Sequence, residues 1–129
     1  MAMDSIIQEI SEVQKLAKNY PDLAKRLIEI GIESYTVDVA TEIILYRKAN
    51  GNNGIKYPEK PLNTISPAFN REQTIQAIRD NQQGKSDYPT FMRDIAKAGV
   101  RFYEATLTGD KKRVTYIGSG GSYEEEIPL

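Results

Sequence analysis

The chain has 129 residues, 40% of them apolar and 27% charged, with a formal net charge of −1 and a pI near 5.5. Such a length and usage suit one domain with a real core, far from the low-hydrophobicity, high-charge signature of disorder. The absence of cysteine and histidine removes disulfides, thiolate and imidazole metal sites and serine–histidine triads, and scattered Lys and Arg without a basic excess argue against nucleic acid.

Taken in order, the chain first offers Ile6, Ile10, Val13 and Ala17 at helical spacing, with Asp4 or Ser5 as the expected cap and an end near Lys18. Its start, Met1-Ala2-Met3-Asp4, lacks a basic and then hydrophobic leader, and no apolar run approaches the roughly 18 residues of a spanning helix. A cytoplasmic protein with no membrane partner is therefore expected. Asn19 predicts the cap of a second helix, accepting the amide of Asp22 and leaving Pro21 where no helical N–H is needed. That helix presents Leu23, Leu27 and Ile30 along one stripe and stops at Gly31. The period then changes to two, with Tyr35, Val37 and Val39 on one face of a strand and Ser34, Thr36 and Asp38 on the other. Glu42 to Lys48 returns as the second arm of a hairpin.

Residues 49–66 are rich in Gly, Asn, Pro and Lys and read as an unusually long loop, of the kind that is often functional or mobile. Helix three follows, capped by Asn70 with Gln73 in a capping-box arrangement, and ends by Gly84. Asp87, Tyr88 and Pro89 open the next helix, Gly99 closes it, and Tyr103, Ala105 and Leu107 repeat the alternating face. After a turn at Gly109-Asp110, Val114 and Tyr116 match Ile44 and Tyr46. The stretch Gly118 to Ser122 reads as a tight turn, and Tyr123 to Ile127 as a short edge strand.

Much of this occurs twice. Tyr20, Pro21, Gly31 and Tyr35 recur as Tyr88, Pro89, Gly99 and Tyr103, all displaced by 68 positions, as are Ile7, Gln8, Ile10 and Gln14 relative to Ile75, Gln76, Ile78 and Gln82. The pattern predicts an α+β fold built by tandem duplication of a helix-helix-hairpin unit. Its hairpins form one mainly antiparallel sheet covered by helices on one face. The expected organisation is a single domain over 1–129, with repeat one at about 4–48, the loop at about 49–66 and repeat two at about 70–129.

Candidate chemistry is sparse. Tyr35 and Tyr103, at matched positions, suggest paired phenols lining a pocket between the repeats, although tyrosine also suits half-buried strands. Arg79 with Gln82 offers a fork for a carboxylate or phosphate, against the plainer reading of a solvated helix end. In the acidic run, alternation lets at most Glu124 and Glu126 converge, so Glu126 joins the candidates for ligand binding; an acidic, soluble edge is the plainer account. The glycine-rich turn lacks the Lys-Ser/Thr ending of a P-loop.

Ala77-Ile78-Arg79, Gln82 or Gln83 with Gly84, Tyr88-Pro89, Phe91, Ala98-Gly99, Tyr103, Tyr116, Gly118 to Gly121, Tyr123, Glu126 and Pro128 occur in an ordered set. Together with Gly31 to Tyr35, Val37 and Asp38, this set resembles the YbcV-like bacterial proteins of unknown function, often labelled phage envelope proteins. Many of those relatives carry a histidine beside the closing glutamate, where this chain has acidic residues, so no role resting on it is carried over. The resemblance implies no reaction, substrate or cofactor. A mean hydropathy of −0.52 without a spanning segment does not describe an integral envelope component.

The functional expectation is a small binding or protein-interaction module for an unknown small molecule or protein, homodimeric through a sheet edge or helix face. No metal, cofactor or catalytic residue is assigned. The alternatives are an enzyme using carboxylate and tyrosine chemistry, and a phage-derived structural or accessory protein.

Overall fold

The two periodicities resolve, in a computed structural model describing residues 2–129 with side chains from Ser5 onward, into four helices and six strands. In the first half α1 (Ala2–Leu16) and α2 (Tyr20–Glu29) precede β1 (Ile32–Asp38), β2 (Ile44–Lys48) and β3 (Asn53–Lys56). The second half runs in the same order, with α3 (Arg71–Gln82), α4 (Tyr88–Lys97), β4 (Val100–Thr106), β5 (Arg113–Gly118) and β6 (Gly121–Glu126). The strands form one antiparallel sheet in the order β3-β2-β1-β4-β5-β6, an α+β fold in which β1 and β4 join two meanders.

The local signals act as chemistry requires. Asn19 accepts the amide of Asp22, Asn70 that of Gln73 and Asp87 that of Thr90, each at 2.9 Å, so three helices begin with an orphan N–H satisfied by a side chain. Gly31, Gly84 and Gly99 follow their helices with φ of +89°, +75° and +87°. Along β1 and β4, Tyr35, Val37, Tyr103 and Ala105 are buried, while Ser34, Thr36, Phe102 and Glu104 keep solvent contact. The buried sheet residues share one hydrophobic cluster with Ile6 and Ile10 of α1, Ala24 and Leu27 of α2, Ala77 and Ile78 of α3 and Met92 and Ile95 of α4.

Two expectations are corrected. The first helix begins at Ala2, upstream of Asp4 and Ser5, because Ala2 and Met3 are good helix formers and nothing there stops propagation. The stretch 49–66 is not all loop: Asn53–Lys56 adds a third strand to the first meander, so each half contributes three strands rather than a hairpin. Its Asn-Gly composition disguised it. Gly54 is there because α1 lies directly above, and a Cβ at that position would sit 2.9 Å from Ile6 Cγ2.

Gly99 and Gly31 occupy like positions with unlike surroundings. A Cβ on Gly99 would fall 2.3 Å from the Ala68 carbonyl oxygen, whereas on Gly31 the nearest atom is Lys48 Cε at 3.7 Å. Gly31→Ala is expected to cost about 1 kcal/mol, from the left-handed backbone alone. Gly99→Ala is expected to cost at least about 2 kcal/mol more, because the backbone segment over it must also move. Urea titrations of the two variants measure this, and equal losses would contradict the close approach.

Candidate functional site

Tyr20 and Tyr88 are the first helical residues after the Asn19 and Asp87 caps, which aims both toward the sheet. Tyr35 and Tyr46 face each other across β1 and β2 with ring centroids 5.5 Å apart, and Tyr103 and Tyr116 do so across β4 and β5 at 5.3 Å. Tyr20 and Tyr35 share a hydrogen bond of 2.5 Å between their hydroxyls, and in the second half the Tyr88 and Tyr103 phenols lie near enough to act on one another electrostatically. Burial pushes the Tyr20 phenol up to about 12, with the bond from Tyr35 pulling the other way. Burial, followed by the neighbouring phenols, drives Tyr35 and Tyr103 well above the ordinary range, and burial is also the leading cause for Tyr46 and Tyr116; Tyr88, which is 45% exposed, is raised as well by desolvation of its hydroxyl end. These groups remain protonated at neutral pH. Tyr20 and Tyr35 use that proton in the bond they share, and a protonated phenol does not supply a tyrosinate base or nucleophile.

Arg79 and Gln82 are brought together, but around Glu125 rather than Glu126. The Arg79 guanidinium donates to Gln82 Oε1 at 2.9 Å and to Glu125 Oε1 at 2.6 Å, and Gln82 Nε2 donates to the other carboxylate oxygen at 3.2 Å. Tyr123 Oη donates to Glu125 at 2.9 Å, and the Arg71 guanidinium lies 5.1 Å above the Tyr123 ring. Burial raises the Glu125 carboxyl, yet the bonds from Arg79, Tyr123 and Gln82 outweigh it and hold the group below its ordinary value. Glu126 is exposed opposite Arg113, on the same side of β6 as Glu124, which pairs with Lys111 at 3.1 Å and Arg113 at 3.4 Å. The alternation that unites Glu124 with Glu126 places Glu125 with Tyr123 and Ile127, and that was the available signal. Every polar group of this cluster is satisfied within it, and it fastens α3 to the edge strand.

A third constellation was not visible in the sequence. Glu42, in the β1–β2 connection, is 7% exposed and has φ of +60°, the one positive value on a non-glycine among the described residues. Its carboxylate takes Lys60 Nζ and, at 2.8 Å, Asn63 Nδ2; Asn63 also donates from its side chain to Val39 O and from its backbone to Ala40 O, both at 2.8 Å. Ser66 N donates to Ala96 O at 3.0 Å and Asn70 N to Ala98 O at 2.7 Å. The Phe69 ring covers Gly118 and Gly121, where added Cβ atoms would approach it to 2.8 and 2.7 Å. Residues 57–67 thus carry no helix or strand, yet are tied down at Lys60, Asn63 and Ser66.

Tyr57 and Leu62 on this segment are 65% and 70% exposed. Open grooves flank it. One, of about 500 Å³, includes Thr41, Ile43, Tyr57, Pro58 and Lys60; the other, of about 520 Å³, lies between residues 62–67 and α4, and Leu62 borders both. Among the described residues no helix is long and apolar enough to cross a membrane.

Residues 8–122 match a family described as protein of unknown function (DUF1398), and the chain belongs to that family. No curated protein matches it.

Two pH experiments test these networks. Phenols raised by burial stabilise the fold fully below their unfolded value of 10.0 and lose that contribution as pH climbs through the folded values, about 12 for Tyr20. Tyrosinate absorbance in the cluster is therefore expected to rise above pH 10 together with loss of circular dichroism; ionisation with the native signal intact would contradict burial. The lowered Glu125 carboxyl works in the opposite sense, stabilising above its unfolded value of 4.5 and losing that as pH falls through the folded value. Glu125→Gln is expected to cost about 1 kcal/mol at pH 7 in urea titrations, with the gap to the parent protein closing below about pH 4. A gap unchanged at pH 3 would contradict the ionic assignment.

Proposed function

We propose that this member of the DUF1398 family is a small interaction module that recognises a partner protein through the ridge at residues 57–67. The observation that carries the reading is the clamp on that ridge. Glu42 accepts a left-handed backbone, a cost of about 1 to 3 kcal/mol, and brings a carboxylate inside to hold Lys60 and Asn63. What is held in place is irregular chain presenting Tyr57 and Leu62 to solvent. Exposed apolar side chains on a pre-ordered segment suit protein recognition, because less ordering entropy is lost on binding.

In this reading Tyr35 and Tyr103 belong to a polar network within the core, and Arg79 and Gln82 fasten α3 to β6. Phenols kept protonated by burial speak against a tyrosinate base or nucleophile. Within the family we place the chain among the YbcV-like proteins on its ordered tyrosine and glycine positions, and we read its two halves as copies of one unit. The phage-envelope label supplies no activity. A second copy of the chain is one candidate partner.

The test is quantitative co-purification from cells with tagged parent protein and with a Tyr57→Ser/Leu62→Ser variant. Both residues are exposed, so stability is expected to change by less than about 0.5 kcal/mol. A protein enriched by the parent chain and lost with the variant supports the ridge, and a differently tagged copy of the chain behaving so would make the partner a second copy. Partners retained equally by both, or none above background, would refute it.

A further inference from the structure

The groove between residues 62–67 and α4 is lined by two cations and no carboxylate. Leu62, Ile65, Pro67 and Ala96 give it apolar walls, and Arg93 and Lys97 stand over it one helical turn apart. Like charges at this spacing on a helix repel, and among the described residues no carboxylate lies within ion-pair distance of either. Asp87, six residues earlier at the helix cap, feels the Arg93 charge, but its carboxylate is committed to Thr90. Arg93 itself donates only to the Thr90 hydroxyl, at 3.1 Å. The opposite wall is fixed by the Ser66 bond to Ala96 and by the Asn63 bonds to Glu42 and Val39.

We infer that this groove takes an acidic, apolar segment of the partner, with its carboxylates on Arg93 and Lys97 and its apolar side chains against Leu62 and Ile65. The inference rests on the ridge as the recognition surface and adds the chemistry of what is recognised. Two cations without an ion-pair partner beside an apolar wall complement alternating carboxylate and aliphatic groups, and a basic or wholly polar peptide would leave one of the two features unmatched. A nucleic acid strand would use the cations and leave the aliphatic wall unfilled.

The probe is a dye-labelled peptide alternating glutamate and leucine, followed by fluorescence anisotropy, with one control peptide carrying lysine for glutamate and another carrying serine for leucine. The acidic apolar peptide is expected to bind, to weaken as salt rises from about 0.05 to about 0.5 M, and to lose about tenfold or more in affinity to Arg93→Glu/Lys97→Glu. Arg93→Gln/Lys97→Gln, which removes the charge with less disturbance, is expected to fall between. Circular dichroism of each variant separates loss of binding from loss of fold. Equal binding of the lysine peptide, displacement by an oligonucleotide as effective as by the acidic peptide, indifference to both charge variants, or no binding at about 1 mM would each overturn the inference. If Leu62→Ser weakens a peptide that the charge variants leave alone, the groove chemistry falls while the ridge stands.

Discussion

The structure depends on one strand pairing. β1 and β4 run antiparallel at the middle of the sheet, and where they cross, Thr36 lies opposite Glu104, 68 residues away, with the threonine hydroxyl donating to the carboxylate at 3.1 Å. Each half arrives with its own meander and helix pair, and neither meander alone covers both edges of its first strand. Joining β1 to β4 leaves only β3 and β6 as edges. It also stacks the two sets of inward tyrosines on adjoining strands, which is why Tyr35 senses Tyr103 and Tyr116 senses Tyr20 across the junction. Both central strands slip in register at the same place, between Ile32 and Ser34 and between Val100 and Phe102, just past the glycine that ends the preceding helix.

From that junction outward the halves diverge, and the divergences are informative. Opposite Tyr46 on β2 stands Gly54, and α1 lowers Ile6 into the space; opposite Tyr116 on β5 stands Tyr123, and α3 is held off by a ring that Arg71 covers and Glu125 anchors. Beside Gly31 the surface is open apart from the Lys48 stem, whereas Gly99, Gly118 and Gly121 together receive Ala68 and Phe69. The connecting segment therefore docks on the second half through backbone contact that only glycine permits, while Glu42 and Asn63 tie it to the first. The connecting segment thereby becomes a brace between the two meanders.

Most of the fold was legible because it is written in short-range chemistry. The caps Asn19, Asn70 and Asp87, the stops Gly31 and Gly99 and the period-two faces from Tyr35 and Tyr103 each express a local rule, and each lies where that rule puts it. The strand Asn53–Lys56 was hidden because its composition answers to α1 above it rather than to its own β-propensity. That Arg79 and Gln82 meet Glu125 and not Glu126 turns on one fact, which face of β6 meets α3. Tyr123 and Ile127 carried that fact, since half-buried and buried neighbours two residues away on either side share their face with Glu125. Glu42 had no local signature at all: a buried glutamate in a left-handed conformation is intelligible only with Lys60 and Asn63 beside it, and they are 18 and 21 residues away.

The same long-range character makes the 57–67 segment the place where this fold spends stability without strengthening its core. Ordering an irregular residue costs on the order of 1 to 2 kcal/mol of backbone entropy, and the largely exposed Tyr57 and Leu62 return little of it through burial. The buried tyrosines do the reverse, since each ring fills core volume and the hydroxyls that bond one another lessen the cost of bringing them inside. A chain selected for stability alone would shorten the connection between β3 and α3 and dispense with a strained glutamate. Retaining eleven irregular residues, two of their large apolar side chains outward and an unpaired arginine and lysine alongside, is consistent with a surface that recovers its cost only when something is bound to it.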